Sequence, residues 1–285
     1  MPRVGDYLSL IKFSHSVFAL PFGLIALLVA TGGRPGWRLL GLLVVAMVCA
    51  RTAAMAYNRL VDRDLDAKNP RTAGREIPRG AITPAQAGAL VLLACLGFAA
   101  TAWLLSPLCL ALALPVLAVL LGYSHAKRFT WLAHLWLGVA LGLAPPAAYV
   151  AAVGAIDAGI LPSLALGLGV TFWVAGFDVL YACQDVAFDR GHGLHSLPAR
   201  LGVAKAMLLS KLAHALAVVL FVTFGVGAGL GVAYQVGVAC AAAFLAYEHR
   251  LLRPDDLGRI DAAFFTMNGL VGLAMLSCTA LDVYF

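Results

Sequence analysis

The sequence predicts an all-α integral membrane protein, and three observations carry that prediction. Of the 285 residues 62% are hydrophobic and only 12% charged, with a mean hydropathy of +0.92, a balance that no water-soluble globular domain tolerates. The apolar runs are long and unbroken, as in LLGLLVVAMVCA from Leu39, whereas membrane β-strands alternate with a period of two. All but Arg34, Arg38, Arg51 and Lys211 of the 20 Lys and Arg residues lie at one set of run ends and connections. The positive-inside rule then places the amino terminus and the polar blocks in the cytoplasm and the carboxyl terminus outside. The net charge of +6 therefore follows the membrane, not a nucleic acid.

At roughly 20 residues per crossing, the runs accommodate about nine transmembrane helices, near 8–30, 37–60, 83–105, 107–123, 131–150, 161–182, 203–226, 229–247 and 260–283. The first carries Lys12 and His15 at its cytoplasmic end, with Pro21 as an expected kink. It lacks a small-residue cleavage site and reads as a retained helix rather than a signal peptide. The second contains Arg51, costly at that depth unless it faces the bundle interior with a partner. The fourth ends in Tyr123-Ser124-His125-Ala126-Lys127-Arg128; Tyr123 and Lys127 share a face if the helix persists that far. Spans seven to nine read as scaffold, and the connection from His249 as a solvated loop. Cys49, Cys95, Cys109, Cys183, Cys240 and Cys278 are scattered singly and read as packing residues.

Two dense polar blocks interrupt this pattern. In NRLVDRDLDAKNPRTAGREIPR from Asn58, the residues Asn58, Asp62 and Asp66 recur every four positions and share a helical face, while Asp64 points elsewhere. Their carboxylates repel one another, so a cation is expected between them. In DVLYACQDVAFD from Asp178, the residues Asp178, Tyr181, Asp185 and Asp189 again fall on one face. Each block ends an apolar segment and is followed by a basic loop. The loop after the first, with Arg71 and Arg75 and its prolines, is expected to be a lid whose arginines remain mobile.

Four carboxylates among arginines at a membrane surface suit Mg2+, which takes oxygen ligands and completes its shell with water and substrate phosphate. Zinc would call for His or Cys, and calcium for more oxygens in one loop. The matching ligand is an amphiphile with a diphosphate at the interface and a hydrocarbon tail in the bilayer.

The first block resembles the NxxxDxxxD motif of the UbiA superfamily of intramembrane aromatic prenyltransferases. The second resembles its DxxYxxxDxxxD motif, and Tyr123 with Lys127 its YxxxK element. The resemblance covers essentially the whole chain, making residues 1–285 a single membrane domain, and implies nine transmembrane helices around a central cavity with cytoplasmic cap loops. It implies that Asp62, Asp66, Asp185 and Asp189 hold two Mg2+ ions on a polyprenyl diphosphate with help from Asn58, while Tyr123, Lys127 and Tyr181 contact the diphosphate. Arg51 and Lys12 are candidates for an acceptor carboxylate, Arg71 and Arg75 for the diphosphate, and Asp178 for substrate. The first span is closest to the 4-hydroxybenzoate polyprenyltransferase-like branch, which includes menaquinone-pathway enzymes, so both a hydroxybenzoate and a hydroxynaphthoate acceptor remain open. Haem, chlorophyllide and glycerol phosphate are further acceptors within the family. An ion-coupled transporter would instead place its acids deep within broken spans, and a non-catalytic assembly factor would not need both acid pairs.

Overall fold

The computed structural model describes residues 3–11 and 19–285; Lys12 and His15 lie outside them. The chain is almost entirely helical. A short helix α1 (Val4–Leu10) precedes α2 (Leu20–Ala30), α3 (Trp37–Val61), α4 (Arg63–Lys68), α5 (Pro84–Leu105), α6 (Pro107–Ala126), α7 (Ala133–Gly142) and α8 (Ala144–Val153). Then come α9 (Ile160–Ala182), α10 (Val186–Gly191), α11 (Leu197–Leu201), α12 (Val203–Gly227), α13 (Val232–Leu251) and α14 (Asn268–Tyr284).

Among the described residues, seven helical segments are long and apolar enough to cross a membrane. They correspond to seven of the nine expected spans. The first expected span falls partly outside the described residues and is represented by α2. The eighth is α13, which is long enough but carries Gln235, Glu248, His249 and Arg250. Large apolar side chains such as Leu92, Leu93 and Leu96 point outward, as a lipid-facing surface requires.

Local sequence chemistry sets the boundaries. The Thr83 hydroxyl accepts from the Gln86 amide and the Gln86 side chain accepts from Thr83 N–H, a capping box completed by Pro84 at the first helical position. Ser106 caps α6 in the same way, with Pro107 behind it. The expected fifth span is split between α7 and α8, because Pro145 and Pro146 open α8 and cannot continue the hydrogen bonding of α7.

Helix α9 is the axis of the bundle: 61% of its span is buried, against 17% for α5 and α6. Its Trp173 and Phe177 pack with Phe22, Phe221, Phe224, Tyr234 and Met275 in a core shared by α2, α12, α13 and α14. Against α7 the approach is closer still. A Cβ on Gly138 would lie 2.2 Å from the Thr171 carbonyl oxygen, and one on Gly142 2.4 Å from that of Gly167. Only glycine fits such a crossing.

Spans seven to nine, expected as scaffold, contain buried polar contacts. Trp173 Nε1 donates to Asn268 Oδ1 at 2.6 Å, Asn268 donates to Glu248 at 3.2 Å, and His214 Nδ1 lies 3.0 Å from His249 Nε2. The connection after His249 is likewise not simply solvated, since Leu252 and Ile260 are buried with Leu180, Cys183 and Met207. Apolar side chains within the connection have a hydrophobic cluster to join, and burying them outweighs leaving the loop in water.

Candidate active site

Both acidic blocks end at the same end of the bundle. Helix α3 stops at Val61, and Asp62, with φ −90° and ψ 1°, leads into α4. The ladder nevertheless continues across this break: Asp62 N–H donates to Asn58 O at 2.9 Å and Asp66 N–H to Asp62 O at 2.7 Å. Asn58, Asp62 and Asp66 therefore keep one face. The second block follows the same plan, with α9 giving way to a 3₁₀ turn over Cys183–Asp185 and then to α10, which carries Asp189.

The two corners share a cavity of about 240 Å³. Asn58, Asp62, Asp66, Asp178, Asp185 and Asp189 line it, as do Arg71, Arg75, Tyr123 and Lys127. Tyr181 joins through Arg71, whose Nη1 donates to the Tyr181 hydroxyl at 3.2 Å and whose guanidinium lies 5.2 Å from the ring centre. Arg51 does not line this cavity. It sits seven residues before Asn58, about 10 Å deeper along α3.

The expected cation between the acids is supplied several times over. Lys127 Nζ donates to Asp62 Oδ2 at 2.6 Å and Arg128 Nη2 to Asp62 Oδ1 at 2.9 Å, while Asn58 Nδ2 reaches Oδ2 at 3.2 Å. Arg75 Nη1 grips both oxygens of Asp66, at 2.7 and 2.8 Å. Arg71 spans Asp185 with two donors, one of them Nε at 3.0 Å. Burial works against the Arg71 charge, but the hydrogen bond and the field of Asp185 outweigh it and hold its pKa above the usual arginine value.

In this structure the loop with these arginines is tied down by hydrogen bonds. Asn69 donates to Asp185 at 3.1 Å and accepts from the Arg71 amide, and the Thr72 hydroxyl donates to Asp66 O. Its outer side is strapped by α1, where Ser9 donates to Glu76, Asp6 pairs with Arg79 at 2.8 Å, and Leu10 packs with Ile77 and Ile82. One four-residue step, Arg71 to Arg75, thus ties the second corner to the first.

Four contributors escaped the sequence reading. Asn69 looked like a helix end, and Arg128 was overshadowed by Lys127. Ser196, which donates to Asp189 at 2.7 Å, is one hydroxyl in the basic loop after the second block, and His134, whose Nδ1 lies 2.6 Å from Asp178, is a single polar residue in an apolar span. Only Arg128 left a usable signal, being adjacent to a recognised cation at the same helix end.

A polar cavity at one end of an apolar helical bundle, walled by paired acids and basic residues, is a site at a membrane surface with the chemistry to hold an anionic ligand. Residues 19–270 match the model of the UbiA prenyltransferase family, and the chain belongs to that family and is a prenyltransferase. It is 30% identical over 277 residues to the 4-hydroxybenzoate octaprenyltransferase of Alkalilimnicola ehrlichii, covering 96% of this chain and 93% of that one. The 4-hydroxybenzoate octaprenyltransferase of Albidiferax ferrireducens is 36% identical over 207 residues, 70% of this chain and 68% of that one. Among solved structures, the apo UbiA homolog from Aeropyrum pernix K1 superposes with a TM-score of 0.86 at 37% identity, over 94% of this chain and 98% of that one. A UbiA homolog from Archaeoglobus fulgidus bound to DMAPP and Mg2+ shares the fold, with a TM-score of 0.75 at 18% identity over 98% and 99% of the two chains.

Proposed function

We propose that this protein transfers a polyprenyl group from its diphosphate to 4-hydroxybenzoate or a closely similar aromatic acid, for quinone biosynthesis, at the cytoplasmic face of the inner membrane. The observation that carries the reading is the meeting of two acid-bearing helix ends and three loop or rim cations in one cavity. The similarity to 4-hydroxybenzoate octaprenyltransferases supports the benzoate as acceptor, and the basic ends of the spans support the orientation.

The donor set suits Mg2+. The acids Asp62, Asp66, Asp185 and Asp189 offer only oxygen, and Mg2+ needs one or two carboxylates when phosphate and water complete its shell. Among the described residues no three His, Cys, Asp or Glu side chains are gathered to hold a metal ion, so a bound Mg2+ would need phosphate and water for its remaining ligands. Bound there, Mg2+ would stabilise the charge that develops on the departing diphosphate.

The protein's own groups divide the remaining work. Asp62, Asp66 and Asp185 are each occupied by cationic side chains, so loading a divalent ion requires some of these to leave. A diphosphate gives Lys127, Arg71 and Arg75 a new anionic partner. Metal and diphosphate binding are therefore coupled through the same three side chains. Arg128 stays in place because it also donates to Ser124 O and Val61 O, at 2.8 and 3.0 Å. With the loop from Asn69 pinned over the cavity, water is kept from the allylic cation formed as the carbon–oxygen bond breaks. Tyr123 and Tyr181 orient the diphosphate, and the acceptor ring attacks within the same cavity, whose lining includes Leu137 and Asp178.

The test is incubation of purified protein with labelled polyprenyl diphosphate, Mg2+ and a panel of hydroxybenzoates and hydroxynaphthoates, with product mass as readout. The expected product is a C-prenylated 4-hydroxybenzoate. Transfer to the naphthoate alone would move the protein to the menaquinone branch, and transfer to none would overturn the reading.

A further inference from the structure

The five carboxylates that line the cavity do not have equivalent partners. Asp62, Asp66 and Asp185 are covered by Lys or Arg, and Asp189 accepts from the Ser196 hydroxyl. Asp178 is held instead by an imidazole, His134 Nδ1 lying 2.6 Å from its Oδ2. Among the described residues no hydrogen bond reaches the other oxygen of Asp178.

The backbone enforces this pairing. The glycine crossing of α7 on α9 fixes Gly138 against Thr171. One turn before Gly138 is His134, and two turns beyond Thr171 is Asp178. The imidazole is only 5% exposed. Its Nε2 lies 3.4 Å from the Leu197 backbone nitrogen, a long contact whose direction is nonetheless fixed, because an amide N–H can only donate. The hydrogen-bond network therefore assigns the ring proton to Nδ1, pointing at Asp178, which accepts it as a carboxylate.

We propose that His134 is a positioning residue of the transfer reaction: it keeps Asp178 apart from the metal-binding acids and presents its free oxygen to the acceptor as a proton acceptor. The inference rests on the prenyl transfer proposed above. In that reaction the bond from the prenyl carbon to oxygen breaks, and its electron pair leaves with the diphosphate. The ring carbon beside the hydroxyl then forms the new carbon–carbon bond. The hydrogen on that carbon leaves as a proton to Asp178, and its electron pair restores the aromatic ring. Neutral His134 fixes the direction of the accepting oxygen without neutralising it, which a lysine or arginine partner would do.

The experiment compares His134→Leu, His134→Asn and Asp178→Asn in the purified full chain, using 4-hydroxybenzoate with hydrogen or deuterium at the two ring positions beside the hydroxyl. In His134→Leu and Asp178→Asn, transfer is expected to fall by at least about tenfold and a ring-deuterium isotope effect to appear that the parent protein lacks. His134→Asn, whose amide N–H occupies the position of Nδ1–H, should recover most of the rate and lose the isotope effect. Binding of an uncleavable prenyl thiolodiphosphate with Mg2+ should be the same in all three, since among the described residues neither side chain shares a hydrogen bond or ion pair with Asp62, Asp66, Asp185, Asp189 or the cations on them. Normal transfer without an isotope effect in His134→Leu, or equal loss of thiolodiphosphate binding, would overturn the inference. If His134→Leu does not fold, Asp178→Asn decides by the same readouts. A parent protein that binds the thiolodiphosphate but prenylates no aromatic acid would instead sink the underlying function.

Discussion

The two acidic corners of the cavity have similar sequences and unlike surroundings. At the first, the Asp62 side chain is 3% exposed and carries both Lys127 and Arg128, and Asp66 is clasped by Arg75. At the second, Asp185 is 18% exposed with Arg71 as its one ion pair among the described residues, Asp189 has a hydroxyl partner and Asp178 an imidazole. The first corner also keeps α-helical hydrogen bonding across its break, whereas the second winds more tightly into a 3₁₀ turn. The same carboxylate spacing therefore gives one corner closed by buried ion pairs and one that is more exposed and has fewer cationic partners. A buried acid with two cations cannot be neutralised without leaving those cations unpaired.

This contrast can be broken or sharpened by substitution. Asp62→Asn should lower turnover by at least about 100-fold. It should also cost on the order of 3 kcal/mol of stability, taken from the low end of the buried-pair range because Lys127 and Arg128 are about a third exposed. Prenyl-transfer assays and thermal unfolding in detergent measure the two effects. Asp185→Asn should match that loss of turnover while costing only about 1 kcal/mol, since Asp185 is 18% exposed against 3% for Asp62 and pairs with one cationic side chain where Asp62 pairs with two. Equal destabilisation by both variants would abolish the distinction between the corners. Arg71→Lys keeps the charge but not the two-point grip on Asp185, and should reduce turnover about tenfold, mostly through weaker diphosphate binding. Ser196→Ala removes the hydroxyl that donates to Asp189 and accepts from the Ala199 amide, at a cost of about 2 kcal/mol, and should slow transfer only about fivefold in steady-state kinetics.

The parts of this site that were legible in the sequence are those fixed by helical periodicity. Asn58, Asp62 and Asp66 share a face because the i to i−4 ladder runs through Asp62, and Tyr123 and Lys127 line one cavity because α6 persists to Ala126. Apolar run length similarly located α9 almost to the residue. What was not legible depends on elements distant in the chain. Nothing local to Arg71 shows that it reaches Asp185, because that grip requires the loop to fold back across the cavity with α1 strapped over it. His134 is silent in sequence for the same reason, since its meaning comes from the glycine crossing of α7 on α9. The Trp173–Asn268–Glu248 chain was missed because each of its polar members stands alone among apolar neighbours, and only packing brings them together.

The central claim is that cations now resting on the acids are exchanged for a divalent metal when a diphosphate arrives. Calorimetric titration of purified protein with a prenyl thiolodiphosphate, in Mg2+ and in chelator, tests it most directly. The account predicts that Mg2+ tightens thiolodiphosphate binding by at least about tenfold, a coupling of roughly 1.4 kcal/mol, and that Asp62→Asn and Asp185→Asn each remove this gain. Binding of equal strength with and without the metal would contradict it.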